Sequence, residues 1–242
     1  MNNVIKVPKV SVIIPFYNCP YIGHAIISAT NQTYPNVEVI VVDDGSNLYV
    51  EKIKPYMDRI RYIRKSNGGT GSALNQGIKE AKGEFIAWLS SDDLFLPNKI
   101  ARQMQFMQQV NASISYTNWH ALNEHNHIFK QSVNLVFPNI IAFYSRFLVG
   151  NPINGCTVIL KKGLIPQIGW FDQSFLYTQD YDMWLRLLVE GQHFHFLNEP
   201  LTLYRIHDEM GTKKHYSTVE EEMWFIQQKY KEKLTKLIEK LK

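Results

Sequence analysis

Residues 83–93 read G-E-F-I-A-W-L-S-S-D-D. Phe85 to Leu89 make a short apolar run bounded by Gly83, the pattern of a strand buried on both faces. Two serines and two adjacent aspartates, Asp92 and Asp93, follow at its end. Side-by-side carboxylates repel and need a counter-charge; the usual supplier is a hard divalent cation with oxygen ligands, often shared with phosphate. Alone, the same residues read as a solvated loop capping a helix that begins near Pro97. What flanks them decides between the two.

Upstream, residues 10–14 (V-S-V-I-I) form a strong strand ended by Pro15, and residues 21–31 have helical spacing with Ile22, Ala25, Ile26 and Ala29 on one face. A second strand over 37–42 ends in Asp43-Asp44-Gly45-Ser46; a helix over 48–57 and a third strand over 60–63 follow. Asn67-Gly68-Gly69 is a turn by composition, and a helix over 71–81 leads into the strand that ends at Asp92-Asp93. Strands alternating with helices imply crossover units and a mostly parallel sheet, whose ligands bind beyond the carboxyl ends of the strands. Pro15-Phe16-Tyr17-Asn18, Asp43-Asp44, Asn67-Gly68-Gly69 and Asp92-Asp93 all fall there.

Downstream the pattern loosens. Helical spacing covers 97–110, 140–147 and 180–190, the last with Met183, Trp184, Leu187 and Leu188 inward. Strands are expected over 112–116, 127–131, 157–161 and 201–206. From Thr218 one long helix carries an apolar stripe of Val219, Met223, Ile226, Tyr230, Leu234, Leu237 and Leu241. That stripe suits three uses: packing back on its own domain, a homodimer seam, or peripheral contact with a membrane surface.

The 242 residues suffice for a large α/β domain with a sizeable core, and 45% apolar with 20% charged residues is ordinary for a globular chain. The formal charge of +4 is concentrated at the end, where residues 229–242 hold six lysines against two glutamates. A balanced body argues against a nucleic-acid surface. Cys19 and Cys156 are too few and too far apart for a disulfide framework or a zinc site. The first ten residues show no secretory leader, and the apolar stretch 133–149 is too interrupted to span a bilayer. Together these features read as a soluble, cytoplasmic protein.

Several chemistries are absent. The glycines near Gly69 lack dinucleotide-binding spacing, Gln76 stands where a P-loop would need its Gly-Lys, and no nucleophile elbow or zinc-ligand pattern occurs.

The ordered set V-S-V-I-I-P-F-Y-N (10–18), Ser28 with Gln32-Thr33-Tyr34, V-D-D-G-S (42–46), Asn67-Gly-Gly with A-L-N-Q-G-I (73–78), and Gly83-Glu84 with Ser91-Asp92-Asp93 resembles the family-2 glycosyltransferases of GT-A fold. The match is dense over the first hundred residues and sparse to about His207. It implies an α/β fold: a Rossmann-like, mostly parallel sheet flanked by helices, with a mixed, less regular acceptor side. A single catalytic domain over 1–216 is expected, with a nucleotide-sugar half (1–110) and an acceptor half (111–216). The amphipathic helix 217–242 follows it.

The resemblance also implies roles. Pro15, Tyr17, Asn18, Asp44, Asn67, Gly68 and Asp92 would bind a nucleotide-diphospho-sugar. Tyr17 would lie against the base, Asp44 would accept the imide N–H of uracil or thymine, and Asp92 would hold the ribose. Asp93, with His207 in Y-R-I-H (204–207), would hold a divalent cation (Mn2+ or Mg2+) that neutralises the diphosphate leaving group. Many members carry a further aspartate where Ser90 or Ser91 stands here, which implies a weaker metal site. Asp180 in Gln179-Asp180 would be the general base that activates a hydroxyl-bearing acceptor, giving inversion; its pKa would need raising by desolvation. Asp182 is the rival carboxylate, turned away by the helix. Asn154-Gly155-Cys156 would border the acceptor cleft.

The donor expected is a UDP-sugar, with a dTDP-sugar the variant, and the setting is cell-surface polysaccharide or glycoconjugate synthesis. Two other functions fit the residues: a nucleotidyltransferase on a similar sheet, and a nucleotide-sugar-binding subunit that has lost transfer. The first lacks its glycine- and lysine-rich loop after the first strand; slow donor hydrolysis separates an enzyme from the second.

Overall fold

The computed structural model describes residues 7–242; most of the stretch read for a leader lies outside them. In chain order the elements are β1 (Val10–Phe16), α1 (Ile22–Thr30), β2 (Val37–Asp43), β3 (Arg61–Arg64), α2 (Gly69–Glu80), β4 (Phe85–Trp88), β5 (Leu94–Phe95) and α3 (Lys99–Gln109). Then come β6 (Ile114–Leu122), β7 (Ile128–Lys130), α4 (Ile140–Arg146), β8 (Ile159–Lys161), α5 (Leu164–Ile168), α6 (Gln179–Val189), β9 (His195–Arg205), α7 (Gly211–Lys214) and α8 (Tyr216–Glu239).

One sheet runs through both halves in the order β3-β2-β1-β4-β8-β6-β9-β5, with β7 beside β6. β3, β2, β1 and β4 are parallel; β8 reverses direction against both β4 and β6, and β9 lies parallel to β6. Every residue of β1 is buried, because helices cover both faces of the sheet. Alternation sends Ile13, with Ile40 and Val42, into the cluster under α2, α6 and α8. Val12, Ile14 and Phe16 go into the cluster under α1 and α3.

α2 lies on β1 so closely that a Cβ on Gly77 would stand 2.4 Å from Ile13 Cγ2. Gly83, opening the strand that organises the sequence, has no more room: a Cβ there would meet Ser11 Oγ at 2.4 Å.

Several expected boundaries shift, each for a local reason. β1 runs through Pro15 to Phe16. Phe16 turns its carbonyl to Asp44 N while Ile13 serves Leu89 N, so alternation points Pro15 toward the side where β4 has ended and no ladder donor is needed. The helix expected over 48–57 is two 3-10 turns, Val50–Lys52 and Lys54–Tyr56: Tyr49 has φ 63° and Pro55 interrupts the hydrogen-bond ladder. Asp92 and Asp93 do not cap α3, which starts after Asn98; the two-residue β5 intervenes. The late strand spans eleven residues, not six, and carries Pro200 where its register against β6 slips at Asn118. β8 is shorter than expected because residues Gly155–Thr157 coil into a 3-10 turn.

α8 packs against α4 and α6 of its own chain, burying Ile226, Tyr230, Leu234 and Ile238 at strict i+4 spacing. Ile238 takes the place expected of Leu237 and Leu241 in the buried row; Leu241 is exposed. Four such side chains, at roughly 1.5–3 kcal/mol each, suffice to hold the helix down. Among the described residues no helix is long and apolar enough to cross a membrane.

Candidate active site

At the carboxyl end of β1, Tyr17 leaves the sheet and is 55% exposed, while Asn18 turns back into the protein at φ 48°. Asn18 Oδ1 accepts from Asn47 N (3.0 Å) and Leu48 N (2.9 Å), and Asn18 N donates to Ser46 Oγ. Asn18 thereby staples the first strand-end loop to the second. Between them Gly45 has φ +83°, and a Cβ there would lie 2.9 Å from Asn67 N, so the turn requires glycine.

Asp44 joins the second loop to the third. Its buried carboxylate accepts from Lys65 Nζ (2.6 Å), Gly68 N (3.1 Å) and Gly69 N (2.7 Å), and Asn67 Nδ2 donates to its carbonyl (2.9 Å). Gly68 and Gly69 begin α2, so the carboxylate also meets the positive end of that helix. Asn67 and Gly68 remain exposed. The acceptor positions expected to face a nucleobase are thus shared with Lys65 and two amides. Lys65 was missed in the sequence; its two-residue offset from Asn67 was the available signal. Asp43, one position before, is structural: its Oδ1 accepts from Ser46 N at 2.7 Å, and Tyr62 donates to the other oxygen.

The two aspartates after β4 separate in role. Asp93 has no exposed surface; its Oδ1 accepts from Arg205 N (2.8 Å), and its Oδ2 has no hydrogen-bond partner among the described residues. Burial, then the neighbouring Asp92 charge, pushes its carboxyl well above the usual carboxylate range. Asp92 is the partly exposed one, and its Oδ2 lies 3.1 Å from His207 Nε2. Of the pair expected to hold a cation, Asp93 with His207, the imidazole stands against Asp92, the residue expected on the ribose, while Asp93 is buried.

Arg205 holds this arrangement. Its backbone N–H takes Asp93, its Nε donates to Asp92 O (2.8 Å), its other nitrogens reach Asn123 O and Asn126 Oδ1, and its guanidinium lies 4.2 Å from the Tyr21 ring centroid. Tyr21 also edges His207, at 5.4 Å between rings. Arg205 stands next to the residue singled out in Y-R-I-H, yet nothing local marks it as a clamp on a loop more than a hundred residues earlier.

Asp180 occupies the first turn of α6. Asn151 Nδ2 donates to its Oδ2 (3.0 Å) and Tyr181 N to its Oδ1 (2.8 Å). Burial outweighs these bonds and raises its pKa from 3.8 to about 6. Tyr204, on β9 two residues after the buried Thr202, packs its ring edge-on against Trp119. Its pKa is raised by burial and then by the charges of Asp93, Asp92, Cys156 and Asp180, which all reach it.

Asp182 faces the opposite way, fully buried against Arg186 Nε (2.8 Å), Lys229 Nζ (2.9 Å) and Tyr230 OH (2.8 Å). Cys156 is also buried, accepting from Ser90 N at 3.2 Å, and a Cβ on Gly155 would run into the Trp88 ring at 2.3 Å. The 154–156 turn is thus packed directly on the end of β4. From the far side, Asn75 ties α2 to the approach of α6 by exchanging two hydrogen bonds with Phe171 (2.8 and 3.0 Å).

Residues 11–165 match the family model described as Glycosyl transferase family 2, and the chain belongs to that family. It is 40% identical over 88% of its length to an uncharacterized glycosyltransferase of Rickettsia typhi, of which it covers 69%. It is 31% identical over 82% of its length to the Escherichia coli UDP-Glc:alpha-D-GlcNAc-diphosphoundecaprenol beta-1,3-glucosyltransferase WfaP, covering 77% of that protein. Of some longer rickettsial relatives it spans only about a third, 36% for one from Rickettsia felis. The fold is shared with S. aureus TarS 1–349 in complex with UDP-GlcNAc, at TM-score 0.70 and 20% identity, over 86% of this chain and 61% of that one.

Proposed function

We propose that this glycosyltransferase moves a sugar from a UDP-sugar to a saccharide hydroxyl, with inversion, and that Asp180 is the base. The observation that carries the proposal is the Asp180 carboxylate in the first turn of α6, held by Asn151 Nδ2 and Tyr181 N, its pKa raised by desolvation to about 6. Such a carboxylate is ionised at neutral pH yet basic enough to take a proton. The acceptor O–H gives its proton to Asp180 as the oxygen attacks the anomeric carbon. The bond from that carbon to the diphosphate oxygen breaks, and UDP leaves with the electron pair. One displacement inverts the centre.

Donor binding falls to the four strand-end loops. The exposed ring of Tyr17 offers a stacking face for the base. Asp44, Asn67 and Gly68 supply polar contacts to base and ribose, and Pro15 and Asn18 fix the loop from which Tyr17 projects. Asp92 and His207 fit a divalent cation as two ligands. No group of three or more His, Cys, Asp or Glu side chains converges among the described residues, so diphosphate oxygens and water would complete the shell. One imidazole with one carboxylate suits Mn2+ better than Mg2+. When bound, the cation would neutralise charge on the departing diphosphate. Asp93 lies buried beside the pair, its Oδ1 accepting from Arg205 N.

A UDP-sugar is favoured over a dTDP-sugar because the E. coli relative is named for UDP-Glc and TarS was solved with UDP-GlcNAc. The same relative's name supports an acceptor sugar carried on a polyprenyl diphosphate, which fits cell-surface glycan assembly. The test is release of UDP from UDP-glucose and UDP-N-acetylglucosamine by wild type and Asp180→Asn, with UDP affinity measured on both. Loss of release with affinity retained supports the proposal; equal release by the two proteins removes Asp180 from the mechanism.

A further inference from the structure

We infer that Glu222, on the C-terminal helix, is a positioning residue for Asp180: it anchors the loop that launches α6 and so fixes where the base stands. The inference rests on Asp180 being that base. One Glu222 carboxylate accepts four hydrogen bonds from this loop: Leu176 N at 2.7 Å, Tyr177 N at 3.1 Å, Thr178 N at 3.0 Å and Thr178 Oγ1 at 2.8 Å. Thr178 occupies the cap position of α6, but its side chain makes no capping bond to that helix. Its hydroxyl is turned to Glu222 instead, so the start of α6 is held from outside, by the Glu222 carboxylate, at a residue two positions before Asp180.

The neighbouring acids behave otherwise. Glu220 takes the Tyr216 hydroxyl on α8 itself, and Glu221 is exposed. Only Glu222 of the run Glu220-Glu221-Glu222 reaches the catalytic helix. Below the loop, Phe175 packs on Phe225 with ring centroids 6.0 Å apart. Past Asp180, a second fastening joins the same two helices, where Lys229 and Tyr230 donate to Asp182. Asp180 therefore sits between two points at which α8 grips α6. Proton transfer needs the base within hydrogen-bond reach of the acceptor hydroxyl, and a displacement of about 1 Å can cost on the order of a hundredfold in rate. Both helices lie beyond the residues that match the family.

The test compares wild type, Glu222→Ala, Glu222→Gln, Thr178→Val and Asp180→Asn, using UDP release from UDP-glucose or UDP-N-acetylglucosamine and UDP binding by calorimetry. Glu222→Ala is expected to lower kcat by about tenfold or more, with KM for the donor and UDP affinity within about twofold of wild type. Glu222→Gln, which keeps one acceptor oxygen, should recover part of that loss. Thr178→Val, removing one donor of four, should lower kcat by a few-fold, and it reads the contact even if Glu222→Ala fails to fold. Wild-type kcat in Glu222→Gln and Thr178→Val, or equal losses of kcat and UDP affinity in Glu222→Ala, overturns the inference. If Asp180→Asn loses activity while the Glu222 and Thr178 variants keep theirs, only the positioning role fails. If Asp180→Asn stays active, the base assignment fails and the inference with it.

Discussion

The strand-end loops of the first half and the carboxylate site of the second half are built by different means. From β1 to β4 each polar group is fixed by a near neighbour across parallel strands: Asn18 to Asn47 and Leu48, Asp44 to Lys65, Gly68 and Gly69. In the second half the parts come from far along the chain: Arg205 onto Asp92 and Asp93, Asn151 onto Asp180, Glu222 onto Thr178. The first region is a rigid frame of backbone amides, suited to holding a donor that is the same from one turnover to the next. The second is an assembly of helices and β9, where the pose of a single carboxylate depends on tertiary packing. Substitutions in the frame should therefore alter donor affinity or stability, whereas those in the assembly should alter rate.

The sharpest separation is expected from Asp180→Asn. General-base catalysis contributes about 10²–10⁴-fold, and turnover should fall by that order while calorimetry returns near wild-type UDP affinity. Arg205→Lys sits on the border between the regions. It keeps the charge but loses the fork that spans Asp92, Asn123 and Asn126, and it should cost about 2–3 kcal/mol in thermal or urea unfolding, with UDP affinity falling too. An unchanged affinity would mean that the Asp92 loop needs no clamp. Gly77→Ala presses a methyl onto Ile13 in the frame and should destabilise by about 1–3 kcal/mol, leaving kcat per folded molecule unaltered. Tyr17→Ala should weaken UDP binding by about 1–2 kcal/mol, the scale of a lost base stack, without changing stability. Equal UDP affinity in that variant would remove the stack and blur the contrast between the two regions.

What the sequence revealed follows the same division. Parallel strands buried on both faces leave continuous apolar runs, and short loops follow those runs directly; the strand-end positions of Tyr17, Asn18, Asp44, Asn67 and Asp92 could therefore be read from the sequence. Asp180 was singled out by the resemblance of Gln179-Asp180 to the family's pattern, and helical spacing placed it correctly at the start of α6. Lys65, Arg205 and Glu222 were not, since their roles exist only once distant elements meet. What adjacency could not show is that the turn after β4 buries Asp93 and leaves Asp92 partly exposed. The 3-10 turns at 50–56 replaced a helix because apolar spacing says nothing of the left-handed Tyr49 or of the ladder broken at Pro55.

The central claim, that Asp180 takes the acceptor proton, is tested most directly by the pH dependence of kcat. A carboxylate base works only when ionised, so activity is present above its pKa and is lost as pH falls through it. With Asp180 raised to about 6, wild-type kcat should be level above pH 7 and fall roughly tenfold per pH unit below about 6. The residual rate of Asp180→Asn should show no break there. A wild-type profile that stays level down to pH 5, or a break near 6 that survives in Asp180→Asn, would contradict the account.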